Sequence, residues 1–141
     1  MERLDAIADT GFVVALLNRS DQNHTAVVES YQQMKAIGLP QPALTEIAYL
    51  VGRDAGIGTV FRFLRSIEAS RFYTIAMMVE DFDRVADILE MYQDSRIDFV
   101  DACVMAVAER FDLETILTLD LRDFSLFRPK HCLAFRLLPE I

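Results

Sequence analysis

The stretch Ile97–Phe124, IDFVDACVMAVAERFDLETILTLDLRDF, decides how this chain is read. Ala102, Val104, Met105, Ala106, Val107 and Ala108 form an almost continuous apolar run closed by Glu109 and Arg110, which predicts a largely buried helix. Asp98 and Asp101 stand at its start. After a loop over Phe111–Glu114, Thr115–Leu119 predicts a buried strand that stops at Asp120, with Asp123 a little further on. Two pairs of acids thus bracket one helix–strand unit. A carboxylate in a first helical turn is favoured by the free amides and the positive end of the helix dipole, so capping alone can account for Asp101. Asp120 lies beyond the carboxyl end of a strand, where open α/β sheets bind their ligands.

The same arrangement recurs at the N-terminus. Leu4–Ala8 reads as a buried strand ending at Asp9, and Thr10 and Gly11 turn the chain into the apolar run Phe12–Leu17. N-capping again competes with a site role for Asp9. Beyond the polar loop Asn18–Asn23, a helix is expected over His24–Ile37, closed by Gly38. Leu39–Leu44 is expected as a short strand limited by two prolines. Thr45 is then expected to cap a helix over Ile47–Arg53, with Glu46 at its opening. Gly56 and Gly58 separate it from a helix over Thr59–Ala69, and Arg53, Arg62 and Arg65 are expected on the exposed side. A strand over Phe72–Ala76, a helix over Glu80–Tyr92 and an edge strand within Leu133–Leu138 complete the pattern. Strands alternating with helices predict an α/β fold with a mainly parallel central sheet.

A chain of 141 residues is expected to form one domain, 1–141, and carries no low-complexity tract or internal repeat. No apolar run approaches the roughly 20 residues that span a bilayer, and the first residues lack a signal-type core, so a cytoplasmic protein without membrane contact is expected. Cys103 and Cys132 have no metal-type spacing and read as free thiols. His24 and His131 lack partner spacing for zinc, and no GxSxG, P-loop or GxGxxG motif is present. The net charge of −8 argues against broad nucleic-acid affinity, so any contact with a phosphate backbone must be local. Arg122, Arg128 and Lys130, with His131, follow Asp120 directly and are the candidates for that contact; a solvated loop is the alternative.

Asp9, Glu46, Asp101 and Asp120 each fall at a strand end or helix start, which in a βα-alternating sheet is one face. Two carboxylates about 4 Å apart repel by about 4 kcal/mol at an effective dielectric near 20, so such a cluster should show at least one raised pKa unless a cation relieves it. Oxygen donors without His or Cys suit Mg²⁺ or Mn²⁺. The reaction that suits such a site is phosphodiester hydrolysis. Asp9 and Asp120 are expected as the innermost ligands, with Asp101 holding the metal or its water and Glu46 positioning or deprotonating the attacking water.

Taken together, IADTGFVVALLNRSDQNH, LTEIAYLV, IDFVDACVMAVAER and ILTLDLRDFSLFRP span most of the length, and with them the chain resembles a PIN domain. It looks close to the toxin nucleases of the type II toxin–antitoxin systems called VapBC. The resemblance carries the family's acids onto Asp9, Glu46, Asp101 and Asp120 and its hydroxyl position onto Thr118, with Thr10, Asp98 and Asp123 as accessory candidates. It implies a three-layer α/β/α sandwich, Mg²⁺- or Mn²⁺-dependent endoribonuclease activity with tRNA among the candidate substrates, a homodimer, and inhibition by a small antitoxin. Two other classes remain open at this point. A phosphate-signalling receiver also has an acidic Mg²⁺ pocket but wants a lysine after a late strand, and Lys130 lies beyond that place. A PIN-like binding protein that does not cut is the other.

Overall fold

The computed structural model describes residues 3–141. Its sheet contains β1 (Ala6–Ala8), β2 (Ile37–Pro40), β3 (Phe72–Ile75), β4 (Thr115–Leu117) and β5 (Arg136–Leu138) in the order β3-β2-β1-β4-β5. Every pairing is parallel. The chain first runs outward from β1 through β2 to β3, then crosses back to place β4 on the other side of β1. The β1/β4 boundary is therefore the point where the winding reverses, and all strands end on the same edge.

Helices cover both faces. One core joins α1 (Thr10–Leu17), α2 (His24–Gln33), α3 (Gln41–Ala55) and α4 (Ile57–Ser66) to Ala6, Ala8, Ile37, Leu39 and Leu117. The opposite core joins α5 (Val79–Met91), α6 (Phe99–Arg110) and α7 (Leu121–Leu126) to Ile7, Ile75 and Ile116. Neighbouring strand residues thus serve opposite layers, as the two-residue period of a strand requires. This is the three-layer α/β/α sandwich. Every residue from Ala102 to Ala108 is buried, because α6 packs between the sheet and α5.

Several boundaries differ from the sequence reading; Gly58, expected in the break before a helix over Thr59–Ala69, lies inside α4, which ends at Ser66 and is followed by a 3-10 turn over Ile67–Ala69. Helix α2 ends at Gln33, and Ile37 and Gly38 belong to β2. No glycine closes α2; instead the Arg71 guanidinium donates to the carbonyl oxygens of Tyr31, Gln32 and Met34 at 3.4, 2.6 and 2.7 Å. The β2 strand ends at Pro40, and α3 begins at Gln41, so the expected strand residues Ala43 and Leu44 are helical. Pro42, read as a limit on the strand, sits in the first helical turn, where a missing amide costs nothing. Thr45 is consequently an exposed residue inside α3 rather than its cap, and Glu46 lies more than a turn into the helix. Gly56 separates α3 from α4 at φ 88°, a left-handed conformation that other residues rarely adopt. The described chain contains no helix long and apolar enough to cross a membrane.

Gly38 lies where β2 passes closest to its neighbours' side chains. A Cβ there stands 2.6 Å from Ile7 Cδ1 and 3.1 Å from Leu4 Cδ1, both in the closed core. Gly38→Val should lower the unfolding free energy by about 1–3 kcal/mol through overpacking. Urea denaturation checks this: the midpoint should fall with little change in slope.

Candidate functional site

The parallel register of β1 and β4 pairs Ala8 with Leu117, which sets Asp9 beside Thr118 just past the strand ends. The Asp9 amide donates to Leu117 O at 2.9 Å, and the Thr118 hydroxyl donates to Asp9 Oδ2 at 3.1 Å. The same hydroxyl oxygen accepts from the Asp120 amide at 2.9 Å. Thr118 is fully buried, so its one hydroxyl links the acids that follow the two central strands. Asp9 occupies the N-cap position of α1, yet its side chain makes no capping bond. Capping therefore does not explain why an acid stands there.

Capping does explain part of the geometry at the other acids. Asp98 caps α6 reciprocally with Asp101: Asp98 Oδ1 accepts from the Asp101 amide at 3.0 Å, and the Asp98 amide donates to Asp101 Oδ2 at 3.1 Å. Asp120 caps α7 by accepting from the Asp123 amide at 3.0 Å. Each such bond fixes a carboxylate while leaving its second oxygen uncommitted by the cap. Glu46 reaches the edge from inside α3, where the Thr10 hydroxyl donates to its Oε1 at 2.7 Å.

Asp101, Asp120 and Asp123 each offer a carboxylate oxygen, and these three atoms lie within 4.8 Å of one another. Asp9 adjoins this group, since the charges of Asp120 and Glu46 act on it and its own charge acts on Asp101. The four acids singled out in the sequence thus lie within electrostatic reach of one another at the β1/β4 edge. The tightest trio, however, contains Asp123, expected only as an accessory, in place of Asp9 and Glu46.

Electrostatics follow from burial without a counter-charge. Burial pushes the Asp9 carboxyl up to about 6; the Thr10 backbone amide and the Thr118 hydroxyl oppose the shift, and the charges of Asp120 and Glu46 add to it. The Asp101 carboxyl is pushed up to about 8, first by burial, against the Asp98 backbone amide, with the Asp9 and Asp98 charges adding. Asp123 is raised by burial and then by the Asp120 carboxylate, while Arg122 and Arg96 pull the other way. Among the described residues, the ion pairs are Arg53–Asp54, Arg84–Glu109 and Arg110–Asp81, none of which involves these acids. The expected strain of crowded carboxylates is present, with burial the larger cause and like charge the smaller.

The basic residues after Asp120 do not form one group. Arg122 stays on α7 beside Asp123, but the Arg128 guanidinium donates to Ser125 O at 2.7 Å. The Lys130 amide donates to Glu109 Oε2 at 2.8 Å, which puts Lys130 at the far end of α6, roughly 12 Å along the helix from Asp101. His131 is engaged at that end through Nε2 and Leu113 O at 2.7 Å, and His24 through Nδ1 and Ala15 O at 2.8 Å. Cys103 and Cys132 are free thiols. Arg96, two residues before the α6 cap and marked by no motif, also brings its charge to Asp123.

Residues 6–128 match the PIN domain family. Ribonuclease VapC26 of Mycobacterium tuberculosis is 30% identical over 134 residues, covering 94% of this chain and 99% of that protein. Among solved structures, VapC20 of the same organism, a sarcin-ricin loop cleaving toxin, superposes with a TM-score of 0.72 at 19% identity, over 79% of this chain and 87% of that one. VapBC2 of Rickettsia felis, solved bound to a DNA fragment from its promoter, gives 0.69 at 16% identity over 95% and 98%. At such identities the structural likeness is one of fold, and it agrees with the five parallel strands and the order described above. On the family match and the curated relative together, the chain belongs to the PIN domain family.

Proposed function

We propose that this protein is a metal-dependent endoribonuclease that hydrolyses RNA phosphodiesters, and that it is the toxin of a toxin–antitoxin pair. The observation that carries the reading is the gathering of Asp9, Glu46, Asp101, Asp120 and Asp123 at the β1/β4 edge with no ion pair to any of them among the described residues. Its support from outside the chain is the 30% identity to a ribonuclease across nearly the whole length.

The donor set fits a hard divalent cation. It is oxygen-only, three oxygens lie within one coordination sphere's span, and the buried Asp9 carboxylate has no ion partner to neutralise it. These properties favour Mg²⁺ or Mn²⁺, held by Asp101, Asp120 and Asp123 with Asp9 beside them. Bound there, a divalent ion lowers the pKa of water and neutralises charge on the phosphate oxygens. The chain's own residues do the rest. Thr118 fixes the Asp9 carboxylate and ties it to the Asp120 backbone. The Asp98 and Asp120 caps hold Asp101 and Asp123 in place. Thr10 orients Glu46, whose remaining oxygen is available to accept a proton from an attacking water.

The substrate in this reading is RNA, with tRNA one candidate, and the partner is a small antitoxin; toxin–antitoxin complexes stand among the structural neighbours. A homodimer acting in the cytoplasm completes it. The receiver alternative is disfavoured because Lys130 lies at the wrong end of α6. A PIN-like protein that binds without cutting is disfavoured because no acid of the set is missing.

Asp9→Asn should reduce Mn²⁺-dependent cleavage of RNA by about 100-fold or more while leaving the circular dichroism spectrum unchanged. Cleavage at the wild-type rate by a nuclease-free preparation of the variant removes Asp9 from the machinery.

The raised pKa values also set a pH dependence. Asp9 at about 6 and Asp101 at about 8 both titrate above the ordinary 3.8, so between pH 4 and 8 the folded chain holds more protons than the unfolded one. Stability of the metal-free protein should therefore fall as pH rises through this window. In EDTA the melting temperature should be lower at pH 8 than at pH 5. Saturating Mn²⁺ should restore it most at pH 8, because the ion binds the deprotonated carboxylates. A melting temperature that rises from pH 5 to 8 in EDTA contradicts the assignment.

A further inference from the structure

Most arginines of this chain are occupied. Arg53 pairs with Asp54, Arg84 with Glu109 and Arg110 with Asp81, while Arg71 and Arg128 donate to backbone carbonyls. Arg62 and Arg65 lie against the Phe61 ring. Arg96 and Arg122, like Arg3, Arg19 and Arg136, make no ion pair or side-chain hydrogen bond among the described residues, and both are exposed. Both nonetheless act through space on Asp123, a member of the tight carboxylate trio.

Their backbones are firmly placed. Arg122 is the second residue of α7, between the capping Asp120 and Asp123. Arg96 lies in the α5–α6 connection, held on both sides. The Ser95 hydroxyl donates to Tyr92 O at 2.6 Å and accepts from the Ile97 amide at 3.1 Å. Ile97 itself is buried in the core under α6, and the Tyr92 hydroxyl accepts from the Arg128 amide at 2.9 Å. The Arg96 main chain is thus pinned immediately before the Asp98 cap, and only its side chain is free to move.

Arg122 stands on α7 between Asp120 and Asp123, and Arg96 stands two residues before Asp98, so both guanidinium groups border the carboxylate notch with their donors uncommitted and available to an incoming anion. Arginine suits that role, since its planar fork donates two parallel hydrogen bonds to a phosphate. It also answers a difficulty of the composition. A chain of net charge −8 repels RNA overall, so affinity must come from a few cations at the site itself.

We propose that Arg96 and Arg122 together grip the backbone phosphates of the RNA strand at the carboxylate notch, Arg96 from the α5–α6 turn and Arg122 from α7. The inference rests on the endoribonuclease reading. It adds that substrate affinity is concentrated in these two side chains and not in the Arg128–Lys130 tail.

The test compares Arg96→Gln, Arg122→Gln and Arg96→Lys with Arg19→Gln, which removes an equal charge beyond the other end of α1. Cleavage of a short single-stranded oligoribonucleotide is followed with Mn²⁺ between 50 and 200 mM salt, the range over which phosphate contacts register (on the order of 10³-fold for many contacts). Each Gln variant at the notch should raise KM roughly tenfold and leave kcat within about twofold. Each should also flatten the dependence of log(kcat/KM) on log salt by about 0.7, one phosphate contact on a single strand. Arg96→Lys should keep the wild-type slope and recover part of the KM. The Mn²⁺-induced rise in melting temperature should match wild type in all four variants, which separates phosphate binding from support of the metal ligands. If wild type cleaves RNA while Arg96→Gln behaves like Arg19→Gln, this inference fails alone. A loss of kcat and of the Mn²⁺ response at unchanged salt slope also overturns it, because Arg96 then acts only through Asp123. A wild-type chain that leaves RNA intact with Mn²⁺ overturns the endoribonuclease reading and this inference with it.

Discussion

Negative charge held out of water with no cationic side chain beside it is the constraint around which this molecule is arranged. At the end of β1 the Asp9 carboxylate is 6% exposed, and the charges of Asp120 and Glu46 reach it from two other elements. A fold that only needed stability would not collect these groups, because desolvating a carboxylate costs far more than a surface contact returns. The surrounding structure holds them in place by hydrogen bonds to neutral groups: the Thr118 and Thr10 hydroxyls and the amides of α6 and α7. Such bonds orient a carboxylate without neutralising it, which leaves its affinity for a cation intact.

The sheet topology makes this gathering possible. Parallel strands present all their carboxyl ends on one edge, and the reversal of winding between β1 and β4 opens a gap there that no crossover helix covers. The apolar helix α6 contributes by its rigidity. With Ala102–Ala108 wholly buried, its N-terminus cannot shift without moving the core, so Asp98 and Asp101 are as fixed as the strands. Stability and site geometry therefore share the same residues in α6.

The sequence reading succeeded where the chain obeys one period over a long stretch and failed where two signals overlap. The burial of α6 and the β1–Asp9–α1 turn follow from periodicity alone. Around Ile37–Pro42 the signals conflict: a glycine that resembles a helix stop lies inside β2, and a proline that resembles a strand limit opens α3. Arg71, a residue distant in sequence, supplies the capping that Gly38 was expected to provide, and no local pattern reveals this. The four acids were legible because each stands beside an apolar run where a carboxylate is out of place. Asp123 and Arg96 were not legible as partners, since their proximity arises only when the α5–α6 turn and α7 are brought together by the packing of Ile97 and Phe124 in one core.

Besides Arg96 and Arg122, the helices that start at the notch supply positive potential there. Helices α1 and α6 begin at Asp9 and Asp98, each contributing about half an elementary charge spread over its unpaired amides. That potential belongs to the peptide backbone and not to any side chain. No single side-chain exchange deletes it and no change of pH titrates it away, while dissolved salt screens it. Evolution can retune the acids one at a time against a background that stays constant, so a catalytically silent descendant of this chain would still present an anion-attracting edge.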